Sequence, residues 1–115
     1  MAVHYVDFES MGWTEVPNNW AGKAAAGEPG VRFKPFELGS SAVPRGQFVE
    51  YEPGHFEKAH SHDESELLHI IDGGGTIAGE PITAGMLIYI EGGTTYGPIE
   101  GGPQGMRFLR LHLGS

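Results

Sequence analysis

The sequence predicts an all-β domain, a small antiparallel β-barrel or jelly roll. Three observations lead there. Short apolar stretches alternate with polar residues at the period of two that a half-buried strand requires. Nineteen glycines and eight prolines are spread through 115 residues, and they break the chain at the short intervals that turns between strands demand. No stretch carries a sustained helical period with capping residues at its ends.

Residues 1–30 form an N-terminal arm without a sustained period. Val3, Tyr5 and Asp7 are a candidate short strand, and both tryptophans of the chain, Trp13 and Trp20, lie in this arm. Such rings plug the end of a core, cover a subunit interface, or close over a pocket as a lid. Residues 31–115 form the barrel domain. VRFKPFEL opens it as an edge strand, because Pro35 lacks the N–H that a central strand donates. GQFVEYEPG alternates and stops at Pro53-Gly54. FEKAHSH comes next, then ELLHIID, which the sequence ends in a hairpin turn at Gly73-Gly74-Gly75. GTIAGEP and ITAGMLIYIEGG follow. QGMRFLRLHL closes the chain, with Leu109, Leu111 and Leu113 on one face and Phe108, Arg110 and His112 on the other.

Charge and composition exclude several classes. Seven Lys and Arg stand against fifteen Asp and Glu, a net charge of −8. That balance excludes a nucleic-acid partner, which needs a basic footprint, and disfavours an anionic membrane surface. Cysteine is absent, so disulfides, thiolate zinc sites and cysteine nucleophiles are excluded. No apolar run reaches spanning length and the N-terminus has no signal pattern. The expectation is a soluble cytoplasmic protein with no membrane partner.

The chemistry concentrates between Gly54 and Gly73, which hold four of the six histidines. Residues two apart on a strand share a face, so His60 and His62 project together. Two adjacent imidazoles are a natural metal-binding pair. His69 falls out of phase with them. His55 is expected at the surface after the Pro53-Gly54 turn, and His4 carries no pattern. Asp63 and Glu64 read as a solvated acidic turn, and Glu57 as scaffold. His112 and Tyr51 are candidates to reach the interior.

The spacing G-x5-H-x-H-x3-E-x6-G is met at every fixed position, by Gly54, His60, His62, Glu66 and Gly73. This is the first motif of the cupin family, and the chain resembles a small single-domain cupin over residues 47–98. The resemblance implies a jelly-roll barrel around a pocket. It also implies that His60, His62 and Glu66 bind a divalent transition metal. Fe2+ is favoured, with Mn2+, Ni2+ and Zn2+ as alternatives that the same imidazole and carboxylate donors accept. A homodimer is implied as well.

The second cupin motif, G-x5-P-x-G-x2-H-x3-N, is only partly kept. Gly85 and Gly93 match, but Glu91 stands for the proline, Tyr96 for the histidine and Glu100 for the asparagine. Without that histidine the site is a two-histidine, one-carboxylate set with open positions on the metal. Tyr96 is the candidate catalytic residue, as acid or base, as a ligand, or as a donor to a bound anion; the alternative is an aromatic packed at the barrel mouth. The implied function is a metal-dependent enzyme on a small organic substrate that chelates the metal, first an Fe(II) dioxygenase. An isomerase, cyclase or lyase that uses Tyr96 for proton transfer is the alternative, as is a non-catalytic cupin that binds a small molecule.

Overall fold

The computed structural model describes residues 3–15, 30–38 and 45–114. Its strands are β1 (Thr14–Glu15), β2 (Val31–Glu37), β3 (Arg45–Tyr51), β4 (Phe56–Glu57), β5 (Glu66–Ile77), β6 (Glu80–Thr83), β7 (Leu87–Ile90) and β8 (Ile99–His112). All pairings are antiparallel. The sheet order is β1-β2-β3-β8-β5-β6, with β4 beside β8 and β7 beside β5. The long strands β5 and β8 form the hub of this antiparallel jelly roll, because each is bonded along both edges. Among the described residues no helix is long and apolar enough to cross a membrane.

Alternation decides what faces inward. Val49 and Tyr51 of β3, Leu68 and Ile70 of β5, and Met106 and Phe108 of β8 meet Ile82, Ile90 and Ile99 in the core. The same phases continue past the apolar layer. On β5 the next inward position is Glu66, and on β8 it is Arg110 and then His112. Each strand thus carries its inner face from hydrocarbon into polar side chains at one end of the barrel.

The outer face of β2 and β3 is covered by the start of the chain. Phe8 packs on Phe36 and Phe48, at ring separations of 5.6 and 5.0 Å. Trp13 lies 5.8 Å from Phe48 and under the Arg32 guanidinium. The buried Lys34 ammonium donates to the Phe8 carbonyl. Trp13 therefore sits on the opposite side of β3 from Val49 and Tyr51. Trp20 lies outside the described residues.

Two expectations need correction. ELLHIID does not end at Gly73-Gly74-Gly75: β5 runs on to Ile77, and its turn is at Ala78-Gly79. Gly73 has φ +70 and the β5–β8 register shifts around it, which marks a bulge. A Cβ on Gly75 would stand 1.9 Å from the Glu100 carbonyl oxygen, so these glycines serve a close crossing of two backbones. FEKAHSH is a strand only at Phe56–Glu57. Beyond it, His60 makes one backbone bridge to Tyr96, with N–H to carbonyl distances of 3.0 and 2.9 Å.

Candidate metal centre

The chamber at the polar end of the barrel is built from four segments. Glu66, at the start of β5, has no exposed surface. Its Oε1 accepts the Tyr96 hydroxyl at 3.3 Å and lies 3.8 Å from His62 Nε2. Its Oε2 is 3.2 Å from Arg110 Nε and 3.8 Å from His112 Nδ1. The His60–Tyr96 bridge sets the loop, so the His60 ring stands 4.8 Å from His62 and 4.7 Å from Tyr96. Opposite, Glu57 Oε1 is 3.7 Å from His60 Nε2. The other Glu57 oxygen accepts the buried Tyr51 hydroxyl.

Burial and charge act on the two phenols and on His112 in this chamber. Burial pushes the Tyr96 phenol well above its ordinary pKa; Arg110 opposes that rise, while Glu66 and Glu57 add to it. Tyr96 is thus a neutral donor at pH 7. Burial and the Glu57 charge raise Tyr51 in the same way. Burial lowers His112, which Glu66 only partly offsets. The carboxylates of Glu57, Glu64 and Glu66 face the guanidinium groups of Arg110 and Arg45, the latter 3.0 Å from Glu64. Three carboxylates against two guanidinium groups leave the chamber negative, which favours a further cation.

The donor types, two imidazoles and a carboxylate, suit a first-row divalent ion. His60 Nδ1 lies 2.9 Å from the Lys58 carbonyl oxygen, the outer-sphere contact that presents the other ring nitrogen to a metal. Metal–nitrogen and metal–oxygen bonds of about 2.0–2.2 Å sum to more than the His60–Glu57 and His62–Glu66 separations of 3.7 and 3.8 Å. Either pair leaves room for an ion between its members. Glu66 Oε2, Glu64 Oε2 and two Arg110 nitrogens are buried without an aligned hydrogen bond among the described residues. No three His, Asp or Glu side chains among those residues already close on one point. His62, 43% exposed, is the member with most freedom to move inward.

All four sequence candidates, His60, His62, Glu66 and Tyr96, therefore line one chamber. His112 joins them. His69 is exposed on the outer face. His55 departs from expectation: it is 1% exposed and packs 4.5 Å from the Tyr51 ring, because the Pro53-Gly54 turn folds the chain back inward. Glu57 and Glu64 also face the chamber rather than solvent. Arg110 was not foreseen as a site residue; its only sequence signal is being in phase with Phe108. Beside Tyr96 opens an apolar groove of about 420 Å³, lined by Ile77, Ile88 and Ile90 and rimmed by Tyr89, Glu91 and Thr94.

No family model and no curated relative matches the sequence. Solved structures do match. An acetylacetone dioxygenase from Acinetobacter johnsonii is 14% identical, with a TM-score of 0.73 over 99% of this chain and 76% of that one. A predicted oxalate decarboxylase from Thermotoga maritima is 24% identical, with a TM-score of 0.73 over 97% and 100% of the two chains. An RmlC-like cupin from Shewanella frigidimarina is 14% identical, with a TM-score of 0.71 over 99% and 93%. At such identities the likeness is one of fold. That fold, the one the histidine motif pointed to, is shared with these cupin-type structures.

Proposed function

We propose that the chain is a metal-dependent cupin enzyme acting on a small organic molecule that chelates the metal, with Fe(II)-dependent dioxygenation as the first reaction class. The convergence of His60, His62, Glu66 and Tyr96 on one chamber carries this reading. The ion, held by His60, His62 and Glu66, would supply Lewis-acid chemistry and, as Fe(II), dioxygen chemistry. The chain's own side chains do the rest. Tyr96 offers a proton at its hydroxyl. Arg110 balances the buried Glu66 charge and stacks 5.4 Å above Phe108. The Ile77, Ile88 and Ile90 groove takes the apolar part of the substrate and excludes water from it.

The protonated state of Tyr96 favours a second, redox-neutral reading, an isomerase or lyase in which Tyr96 is the general acid. Turnover of 2,4-pentanedione, catechol and a 2-oxo acid, assayed with Fe(II) in air and under argon, separates the two. Dioxygenation predicts activity only in air. Full activity under argon with Mn2+ would remove it and leave the Tyr96 reading, for which Tyr96→Phe should lower kcat by about 100-fold or more.

The expected homodimer has a candidate surface. Ile71, Leu87 and Tyr89 are exposed on the outer face of β5 and β7, where Leu67 pairs with Tyr89 and Leu111, and His69 with Leu87 and Leu109. Light scattering should give twice the chain mass; a monomer at assay concentration would set the dimer aside.

A further inference from the structure

We propose that the molecule this protein takes is a cation: it carries an ammonium group that Glu91 receives at the groove beside Tyr96, joined by an apolar spacer to its chelating head. The inference deepens the enzyme reading above and rests on it for the chelating head; the charge is read from the groove alone. The second motif departs from its pattern at Glu91, where a proline is expected, and at Tyr96, where a histidine is. Both residues line the same groove of about 420 Å³. Ile77, Ile88 and Ile90 give it an apolar floor, and none of the residues that line it is basic. Ile90 pairs with Glu66 across β7 and β5, so that floor begins beside the chamber.

Glu91 is exposed and forms no ion pair among the described residues. Its backbone is nevertheless fixed. The Glu91 carbonyl accepts the Thr94 N–H at 3.1 Å, Gly93 donates to the His62 carbonyl at 2.7 Å, and Gly92 donates to Ser65 Oγ at 3.0 Å. A Cβ on Gly92 would stand 2.4 Å from the Asp63 carbonyl oxygen, so this turn packs tightly on the loop that carries His62. The carboxylate therefore projects from an anchored turn at the groove rim. An apolar floor with a lone carboxylate at its rim suits a ligand that is hydrocarbon along its length and positive at its end. Tyr89 and Thr94 border the same rim, and a ring face and a hydroxyl oxygen both suit an ammonium. A ligand carboxylate would meet Glu91 there with no base to offset the repulsion.

The test uses metal-free protein, so that it reads the groove and not the ion. 4-Phenylbutylamine, 4-phenylbutanol and 4-phenylbutyrate share one apolar body and differ in the charge at its end. Each is titrated into 15N-labelled wild type, Glu91→Gln and Glu91→Lys, and the amide shifts of residues 77 and 88–94 are followed by NMR. The amine should bind about two- to fivefold more tightly than the alcohol, the range of an exposed ion pair, and the butyrate more weakly than the alcohol. Glu91→Gln should level amine and alcohol, Glu91→Lys should put the butyrate first, and added salt should shrink the wild-type preference. Glu91 is exposed, so neither variant removes a core contact. Butyrate that binds wild type as tightly as the amine, an order that both variants keep, or shifts that bypass the groove overturns the inference. Shifts seen only where light scattering gives a monomer assign the groove to a second copy and also overturn it. An amine preference in a protein with no turnover in air or under argon keeps the cation site and removes the enzyme reading; turnover without that preference removes the cation site alone.

Discussion

Replacing Arg110 with methionine should lower the stability of the metal-free protein by about 3–5 kcal/mol, the usual loss when one member of a buried ion pair is removed. Glu66 has no exposed surface, and Arg110 Nε is 3.2 Å from its Oε2. Its other neighbours, Tyr96, His62 and His112, are weaker substitutes for a full positive charge. Methionine keeps much of the packing against Phe108, so most of the loss is electrostatic. The double variant Arg110→Met/Glu66→Gln should therefore recover most of the loss, since a neutral amide needs no countercharge. Added Mn2+ should also stabilise the single variant more than the wild type, because the ion supplies the missing cation and binds only the folded state. Urea titrations of the three proteins, with and without Mn2+, read all of this. A loss below about 1 kcal/mol in Arg110→Met would show the pair to behave as a surface bridge.

The first motif was legible because its fixed spacings single out the candidate ligands from the order of residues alone. Glu66 was doubly marked, being also in phase with Leu68 and Ile70, so a strand that buries those two must bury the glutamate. Arg110 was not legible. QGMRFLRLHL offers two faces, and hydrophobicity alone would turn the leucines inward. The structure instead turns the buried Phe108 and the half-buried Arg110 and His112 inward, and lays Leu109 and Leu111 beside Leu67 on the outer face of the sheet. Only the neighbouring strands make that choice. Glu57 escaped for a related reason, since a strand of two residues carries no period. Gly73-Gly74-Gly75 was misread because glycine serves a turn and a backbone crossing equally well. What separates the two is the Glu100 carbonyl on β8, distant along the chain and fixed only by pairing.

The second large effect concerns the ion itself. His60 contributes a nitrogen whose tautomer the Lys58 carbonyl fixes, and its ring touches both His62 and Tyr96. Removing it takes away the donor that joins the Glu57 side of the chamber to the Glu66 side. His60→Ala should therefore lose the metal while keeping the apolar core, since the His60 side chain is 25% exposed and lies outside that core. The direct measurement is elemental analysis of wild type and His60→Ala, both purified without added metal and both checked for folding. The wild type should carry close to one equivalent of a first-row divalent ion and the variant none. A folded wild type that carries no such ion, and takes none up on dialysis against Fe2+ or Mn2+, would contradict it.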